Sequence, residues 1–381
     1  MKVNIIGAGP AGLYTAILLK RFRPDAKISI FEQNAPDATF GFGVVFSDQA
    51  LSFLWVDDPE TAALIEPRMK RWTGISVVHR NQRIVIDGVG FAGIGRLDLL
   101  RMLHKRAASL GICPDFTFPI DSKDQLPDAD LTVGADGINS IVRSWSPTEF
   151  GAQITYLTNR FAWFGVAREY DTLTQTFVTT PVGPMNAHHY AYAPGQSTFI
   201  IDMTEEAFEA SGFTALSEPA YRAQCQQYFS QHLDAAALVS NHSVWRRFPV
   251  LSCERWFHNN VVLVGDALHT AHYSIGSGTR LALEDVIALV KALRQTGWEI
   301  SDALPEYQRS RQPILEKLTT AAQSSAHWYE HFDRHMNLAP WNFALAYILR
   351  AGRIDPDRLK QLAPKFTAEL TARGIDLEAG N

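Results

Sequence analysis

The chain has 381 residues, 46% hydrophobic and 20% charged, a composition that fits two packed globular domains and excludes a disordered or low-complexity protein. A net charge of −5 and a pI near 6.2 leave no basic footprint for nucleic acid. Cys113, Cys225 and Cys253 lie too far apart for a metal-ligand spacing or a disulfide framework, which points to a reducing, cytoplasmic setting.

At the amino terminus, Lys2 and the apolar run 3–19 superficially suggest a secretory signal. Gly7, Gly9 and Gly12 interrupt that run, Pro10 breaks it, and Lys20, Arg21 and Arg23 stand where a cleavage site would lie. A strand, a turn and a helix suit it better, and no other stretch is long and apolar enough to span a bilayer. Val3-Asn4-Ile5-Ile6 is expected as a buried parallel strand, with a helix over 11–23 packed on it. In Gly7-Ala8-Gly9-Pro10-Ala11-Gly12, Gly7 permits the tight turn, Gly9 lets the backbone approach a pyrophosphate, and Gly12 lets helix and strand pack closely. The helix start then offers unpaired N–H groups to phosphates. A second strand is expected over 27–31. Glu32 at its end, 20 residues beyond Gly12, stands where a ribose hydroxyl needs an acceptor.

Two readings are open for Phe40-Gly41-Phe42-Gly43-Val44-Val45-Phe46-Ser47: a glycine-flexed loop closing over a bound cofactor, or a buried β-hairpin. Residues 75–86 suggest a hairpin turning at Arg80-Asn81-Gln82, residues 90–95 a loop, and Arg96 the start of a helix. A strand over 129–133 enters Gly134-Ala135-Asp136-Gly137, and a helix opens at 140–143, with Asp136 placed to cap backbone N–H groups. Strands over 158–168, 174–180, 187–192 and 197–203, separated by glycine and proline turns, imply an antiparallel sheet. Phe161, Trp163, Phe164, Tyr190 and Tyr192 there divide between core and pocket wall, while His188 and His189 alternate across a strand. The apolar strand 261–264 delivers Gly265-Asp266 at its carboxyl end, where ligands of parallel sheets sit. The next helix is expected near Thr279. Beyond residue 300 the chain reads as helical, with Tyr329, Phe332, Trp341, Phe343 and Tyr347 covering the sheet or forming a dimer contact. Residues 353–377 alternate charged and apolar side chains as a solvated helix does.

The glycine motifs at 7–12, at 134–137 with Ser140, Val142 and Arg143, and at 265–269 with Gly276 and Gly278 span roughly residues 1–330 in this order. They resemble the FAD-dependent aromatic hydroxylases, single-component flavoprotein monooxygenases with the p-hydroxybenzoate hydroxylase fold. The resemblance implies an α/β fold in three parts: a Rossmann-like FAD-binding domain with a parallel sheet (1–70, 90–150 and 251–330), an inserted, mainly antiparallel β-sheet substrate domain (71–89 and 151–250), and C-terminal helices (331–381). It implies FAD bound by Gly7, Gly9, Pro10, Ala11, Gly12 and Glu32, with Phe42 in the loop over the flavin. It puts Arg96 against the phosphates, where a planar guanidinium suits, Asp136 near the cofactor, Asp266 on the ribityl chain, and Gly276 and Gly278 beside the isoalloxazine. NAD(P)H, with NADH the first expectation, is the implied reductant and O2 the co-substrate, and the ring is hydroxylated through a C4a-hydroperoxyflavin. No second strand–GxGxxG–helix follows residue 140, so the nicotinamide is expected in a shared crevice or surface groove.

His272 and Tyr273 are the expected catalytic residues near the isoalloxazine or the substrate ring. A neutral histidine can accept a proton from a phenol or arylamine, or His272 only holds its loop by hydrogen bonding. Tyr273 stands where the family most often has proline. No metal site is expected. The segments 40–47, 197–200 and 272–278 look like the salicylyl-CoA 5-hydroxylase and 2-aminobenzoyl-CoA monooxygenase type, which implies a small aromatic substrate carried as a CoA thioester. Hydroxylases of indole compounds share part of this pattern and supply the alternative substrate. A flavin-dependent reductase or a non-catalytic flavoprotein is a further alternative. A CoA handle needs a basic rim, for which Arg160, Arg168, Arg246, Arg247, Lys70 and Arg71 are available. A monomer or a homodimer is expected.

Overall fold

A computed structural model of the chain describes residues 1–39, 41–47 and 52–377. Phe40 of the expected loop therefore lies outside the described residues. The first layer is a five-stranded sheet in the order Phe257–His258, Val261–Leu263, Leu131–Gly134, Lys2–Ile6, Lys27–Phe31, parallel except for its Phe257–His258 edge. Its strands are apolar almost throughout because helices cover them. Register sets the site: Ile6 and Leu263 both lie opposite Gly134, so three strands end at one level. Each end delivers one of the glycine motifs, bringing together segments far apart in the sequence.

Gly7 adopts φ +99°, and a Cβ on it would overlap the Ala135 carbonyl, so the first two motifs touch through bare backbone. Gly12 faces the Gly7 carbonyl closely enough to exclude any side chain, and the helix Pro10–Phe22 begins immediately after the turn. Ala11 to Leu19 of that helix are all buried beneath the sheet and the helix Gly278–Gln295.

The second layer is a larger sheet in the order Leu238–Val239, Ala152–Val166, Gln196–Met203, Gly183–Ala193, Leu173–Thr180, Lys70–His79, Gln82–Gly95, Gly43–Ser47, with Arg246–Cys253 also paired to Ala152–Val166. Every pairing is antiparallel except Lys70–His79 with Leu173–Thr180. The hairpin turn expected near Arg80 and Asn81 is present, both residues having positive φ. Strand alternation sorts the side chains. Ala162, Phe164, Phe199 and Ile201 pack into a core beneath the helices Glu205–Ser211 and Glu218–Tyr228, whereas Trp163, His188, Tyr190 and Ile200 face the first sheet.

Three local expectations change. Residues 90–95 are not a loop but the last stretch of the strand Gln82–Gly95, and Gly43–Ser47 is a buried strand paired with it. Both therefore belong to the larger sheet. The tail is not one solvated helix: Pro356–Leu362 and Pro364–Ala372 bury Leu359, Ala363, Phe366 and Leu370 against that sheet. These four recur at helical spacing, and the charged residues between them mask the stripe. Tyr329, Phe332, Phe343 and Tyr347 join the same core, while Trp341 packs at its edge, stacked on Phe366.

Candidate active site

Between the two layers runs a cavity of about 390 Å³, continued by a smaller one of about 170 Å³. Gly9, Pro10, Val44, Arg96 and Thr279 line both, so the two form one bent channel. At the narrow end Glu32 closes the second strand. Its carboxylate accepts hydrogen bonds from the Ala8 N–H and from the Asn34 N–H and Nδ2, each at 2.8 Å, and its other lone pairs remain for a hydroxyl. At the bend, a Cβ on Gly9 would meet nothing within 4 Å, so the backbone here is open to a ligand. The N-termini of the helices Pro10–Phe22 and Gly278–Gln295 both border this point, where free N–H groups and the helix dipoles favour an anion.

Arg96 begins the helix Arg96–Ser109 and spans the bend. The Phe42 carbonyl accepts its backbone N–H at 2.8 Å, and its guanidinium lies 5.5 Å from the centre of the Trp163 ring. No carboxylate pairs with it among the described residues. Burial lowers its pKa, with Asp266 opposing that effect. Asp266 itself sits deep in the fold yet remains exposed to the wider cavity, and its side chain hydrogen-bonds none of the described residues. Burial raises its carboxyl, opposed by His269 and Arg96. An unpartnered acid and an unpartnered guanidinium, both facing one channel, are what a ligand with hydroxyls and a pyrophosphate would satisfy, so the residues fit FAD. Asp136 stands behind this wall, accepting the Ile141 and Val142 N–H groups at 2.7 and 3.1 Å, which is the capping arrangement expected. Phe42 lines neither cavity; its ring packs against Gly165.

The wide end is walled by Trp163, Tyr190, Phe248, Tyr273 and Ile200, with Gly276 and Gly278 along one edge. Gly276 has φ +60°, and an added Cβ would come within 2.9 Å of Val45 Cγ1, so the loop rests directly on the strand Gly43–Ser47. Tyr273 points into this end, and its hydroxyl donates to Asp202 Oδ2. Asp202 is fully buried, also accepts from Asn159 Nδ2 at 2.9 Å, and burial pushes its carboxyl up to about 7. The two expected catalytic residues face different spaces. His272 lines a neighbouring groove of about 580 Å³ along the helix Ile300–Glu330, with Nδ1 sharing a 2.8 Å hydrogen bond with Ser274 Oγ. Burial lowers it to about 3. His269 holds structure, sharing a 2.7 Å contact with Asp285, which also binds Arg311.

Two residues of the wide end were given no site role by the sequence reading, which placed His188 only on a strand facing one side or the other and did not single out Asp202. His188 is buried, neither ring nitrogen has a partner, and burial brings it down to about 3, leaving a neutral imidazole against the cavity. Asp202 is the single charged residue of the strand Gln196–Met203 and follows the apolar run Phe199-Ile200-Ile201, and that isolation was the available signal. Five of the six basic side chains proposed for a rim, all but Arg246, are engaged elsewhere: Arg160 and Arg247 with Glu205, Lys70 with Glu169, Arg71 with Glu66, and Arg168 with the His232 carbonyl.

Among known proteins, residues 102–322 match the family model described as FAD binding domain. The chain is 36% identical over 361 residues to a salicyloyl-CoA 5-hydroxylase of a Streptomyces species, covering 92% of this chain and 70% of that protein. It is 34% identical to the 3-hydroxy-4-methyl-anthranilyl-[aryl-carrier protein] 5-monooxygenase of Streptosporangium sibiricum, over 86% of this chain and 89% of that one. In fold it resembles 2-methyl-3-hydroxypyridine-5-carboxylic acid oxygenase, with a TM-score of 0.69, 19% identity and coverage of 94% and 97%. No helix among the described residues is long and apolar enough to cross a membrane.

Proposed function

We propose that this chain, which belongs to the FAD-dependent aromatic hydroxylase family and is an FAD-dependent monooxygenase of aromatic rings, takes its ring as an aryl thioester of the salicyloyl-CoA kind, with NADH as reductant. The similarity to two hydroxylases of aryl thioesters supports the substrate class, and the aromatic-walled end of the channel is the observation that carries it. An ortho-hydroxy or ortho-amino group activates such a ring toward an electrophilic oxygen.

In this reading Glu32 takes a ribose hydroxyl, Gly7, Gly9 and Gly12 with Pro10 and Ala11 form the pyrophosphate turn, Arg96 neutralises phosphate charge, and Asp266 binds the ribityl chain. Gly276 and Gly278 let the loop lie flat beside the flavin, Asp136 holds the second motif in shape, and Phe42 fixes Arg96 through its carbonyl. When bound and reduced by NAD(P)H, FAD would supply the activation of O2, one atom of which the ring receives and the other of which leaves as water. Trp163, Tyr190, Phe248 and Ile200 exclude water and fix the ring in place, an orientation effect. Tyr273 is positioned to accept a hydrogen bond from the ring hydroxyl while donating to Asp202, so a proton leaving the ring onto Tyr273 Oη moves the tyrosine's own proton to an ionised Asp202. Neutral His188 offers a second polar contact in an apolar wall.

The test is substrate-dependent NADH oxidation with the FAD-loaded protein. Salicyloyl-CoA or 2-aminobenzoyl-CoA is expected to stimulate it with matching O2 uptake and a product one oxygen heavier. Stimulation by free salicylate or an indole, with none by either thioester, would overturn the substrate class.

A further inference from the structure

On the far side of the loop that carries Gly276 lies another cavity, of about 410 Å³. It meets the flavin-side cavity at Val45, His188, Gly276 and Ser277, which line both. Its inner walls are apolar, built from Ile75, Phe91, Leu173 and Ile348. Its outer rim carries Arg280, Arg353 and Arg358.

The rim charges are poorly compensated. Arg280 pairs with Glu284 at 2.7 Å, but Glu284 also binds Arg311. Arg353 and Arg358 form no ion pair among the described residues. The nearby acids are engaged: Asp355 Oδ1 accepts the Arg358 backbone N–H, and Asp357 pairs with Lys360. Partial burial lowers the pKa of Arg353, and repulsion from Arg280 and Arg358 adds to that effect. Like charges gathered at a cavity mouth, two of them without an ion pair among the described residues, mark a place for an anion. Arg350, deeper in the wall, is held rigid: it donates to the Tyr347 and Ser274 carbonyls at 2.7 and 3.0 Å and stacks on the Tyr347 ring. It thereby ties the tail helices to the flavin-side loop.

We propose that this second cavity is the channel for the substrate's thioester arm, and that Arg280, Arg353 and Arg358 bind the phosphate of its phosphopantetheine. The inference rests on the thioester reading above and adds to it the site of the handle. An uncharged, narrow pantetheine chain suits the apolar inner walls, and guanidinium groups recognise phosphate oxygens in bidentate fashion. Free CoA and a carrier-protein-borne phosphopantetheine present this same phosphate, so the arms of the test must separate them.

The experiment compares the FAD-loaded wild type with Arg353→Gln/Arg358→Gln. Both side chains are exposed, so the replacements spare the core; flavin absorbance reports intact folding, and Arg280→Gln serves as a second variant. Calorimetric titration with free CoA is expected to show binding weakened roughly tenfold or more in the double variant, with dephospho-CoA and 4′-phosphopantetheine locating the phosphate responsible. The ratio of kcat/KM for salicyloyl-CoA to that for the N-acetylcysteamine thioester of the same ring is expected to fall by about the same factor. A KM increase for NADH with no change in that ratio would assign the rim to the nicotinamide nucleotide and overturn the proposal. So would equal CoA binding by wild type and variants, or no CoA binding by the wild type. Binding of 4′-phosphopantetheine equal to that of CoA, lost alike in the variants, supports the proposal with a carrier-borne arm as the source. If neither thioester is turned over, the thioester reading fails by itself, while the CoA titration still decides the rim.

Discussion

At the scale of single residues, the channel is defined by groups left without partners: Asp266, Arg96 and His188 all face it. Asp202, one step behind Tyr273, has partners but stands out by its proton affinity. Burial raises its carboxyl from 3.8 to about 7, despite donation from Tyr273 and Asn159 that favours the charged form. The unfolded chain titrates near 4, so between about pH 4 and pH 7 the folded state holds the extra proton. Stability therefore falls as pH rises through that window, because folding must then take up a proton that the unfolded chain has released. Asp202→Asn removes the carboxyl and keeps a hydrogen-bond acceptor for Tyr273. In urea unfolding, stability relative to this variant is expected to decline by at most about 4 kcal/mol between pH 4 and pH 8. A difference independent of pH would mean that Asp202 is ionised in the fold at every pH tested. The proton affinity was not visible in the sequence, where Asp202 is only one acid beside an apolar run: it depends on the burial that the fold imposes, partly offset by Tyr273, 71 residues away.

At the scale of elements, the tail helices dock on the strand Gln82–Gly95 through a contact that tolerates no side chain. Gly88 has φ +70°, and an added Cβ would overlap the Leu362 carbonyl. Next to it, Asp87 accepts the Lys365 and Phe366 N–H groups at 3.1 and 2.9 Å, capping the helix Pro364–Ala372 from another part of the chain. Gly88→Ala combines a disfavoured backbone with a forced separation and is expected to cost roughly 1–3 kcal/mol, and Asp87→Ala about 1 kcal/mol, in denaturant unfolding. Equal midpoints for Gly88→Ala and wild type would show that the tail does not dock there. Local pattern located most strands here to within a few residues, since alternation and glycine turns are local signals. It misread residues 90–95 because glycines at 90, 93 and 95 look like a loop. In the fold, Gly93 and Gly95 are where Trp72, Tyr190 and Tyr192 press against the backbone. The tail was misread because its apolar stripe is interleaved with charge, and only a partner surface tells a docked helix from a free one.

For the whole molecule, the channel lies between the two sheets, walled by the loops that follow the strands of the first and by strand residues of the second such as Trp163, Tyr190 and Ile200, so a bound cofactor should hold them together. FAD at about a hundredfold its dissociation constant is expected to stabilise the protein by about 2.7 kcal/mol, raising the thermal midpoint over that of the stripped protein. Asp266→Ala is expected to shift that dependence to higher FAD concentration and lower the flavin retained on purification. An unchanged FAD titration of the variant would remove Asp266 from the ribityl site. The amino-acid sequence by itself determined that a dinucleotide binds and which sheet binds it, because strand, glycine turn, helix and terminal acid follow one another within some thirty residues and the constraint on each is local; FAD in particular followed only from the resemblance carried by all three motifs. Only the tertiary structure decided which side chains line the substrate end, that His272 and Tyr273 face different spaces, and that arginines from residue 280 and from 353–358 share one rim. Those placements arise from sheet register and helix docking between segments far apart in the sequence, and no short-range pattern encodes them.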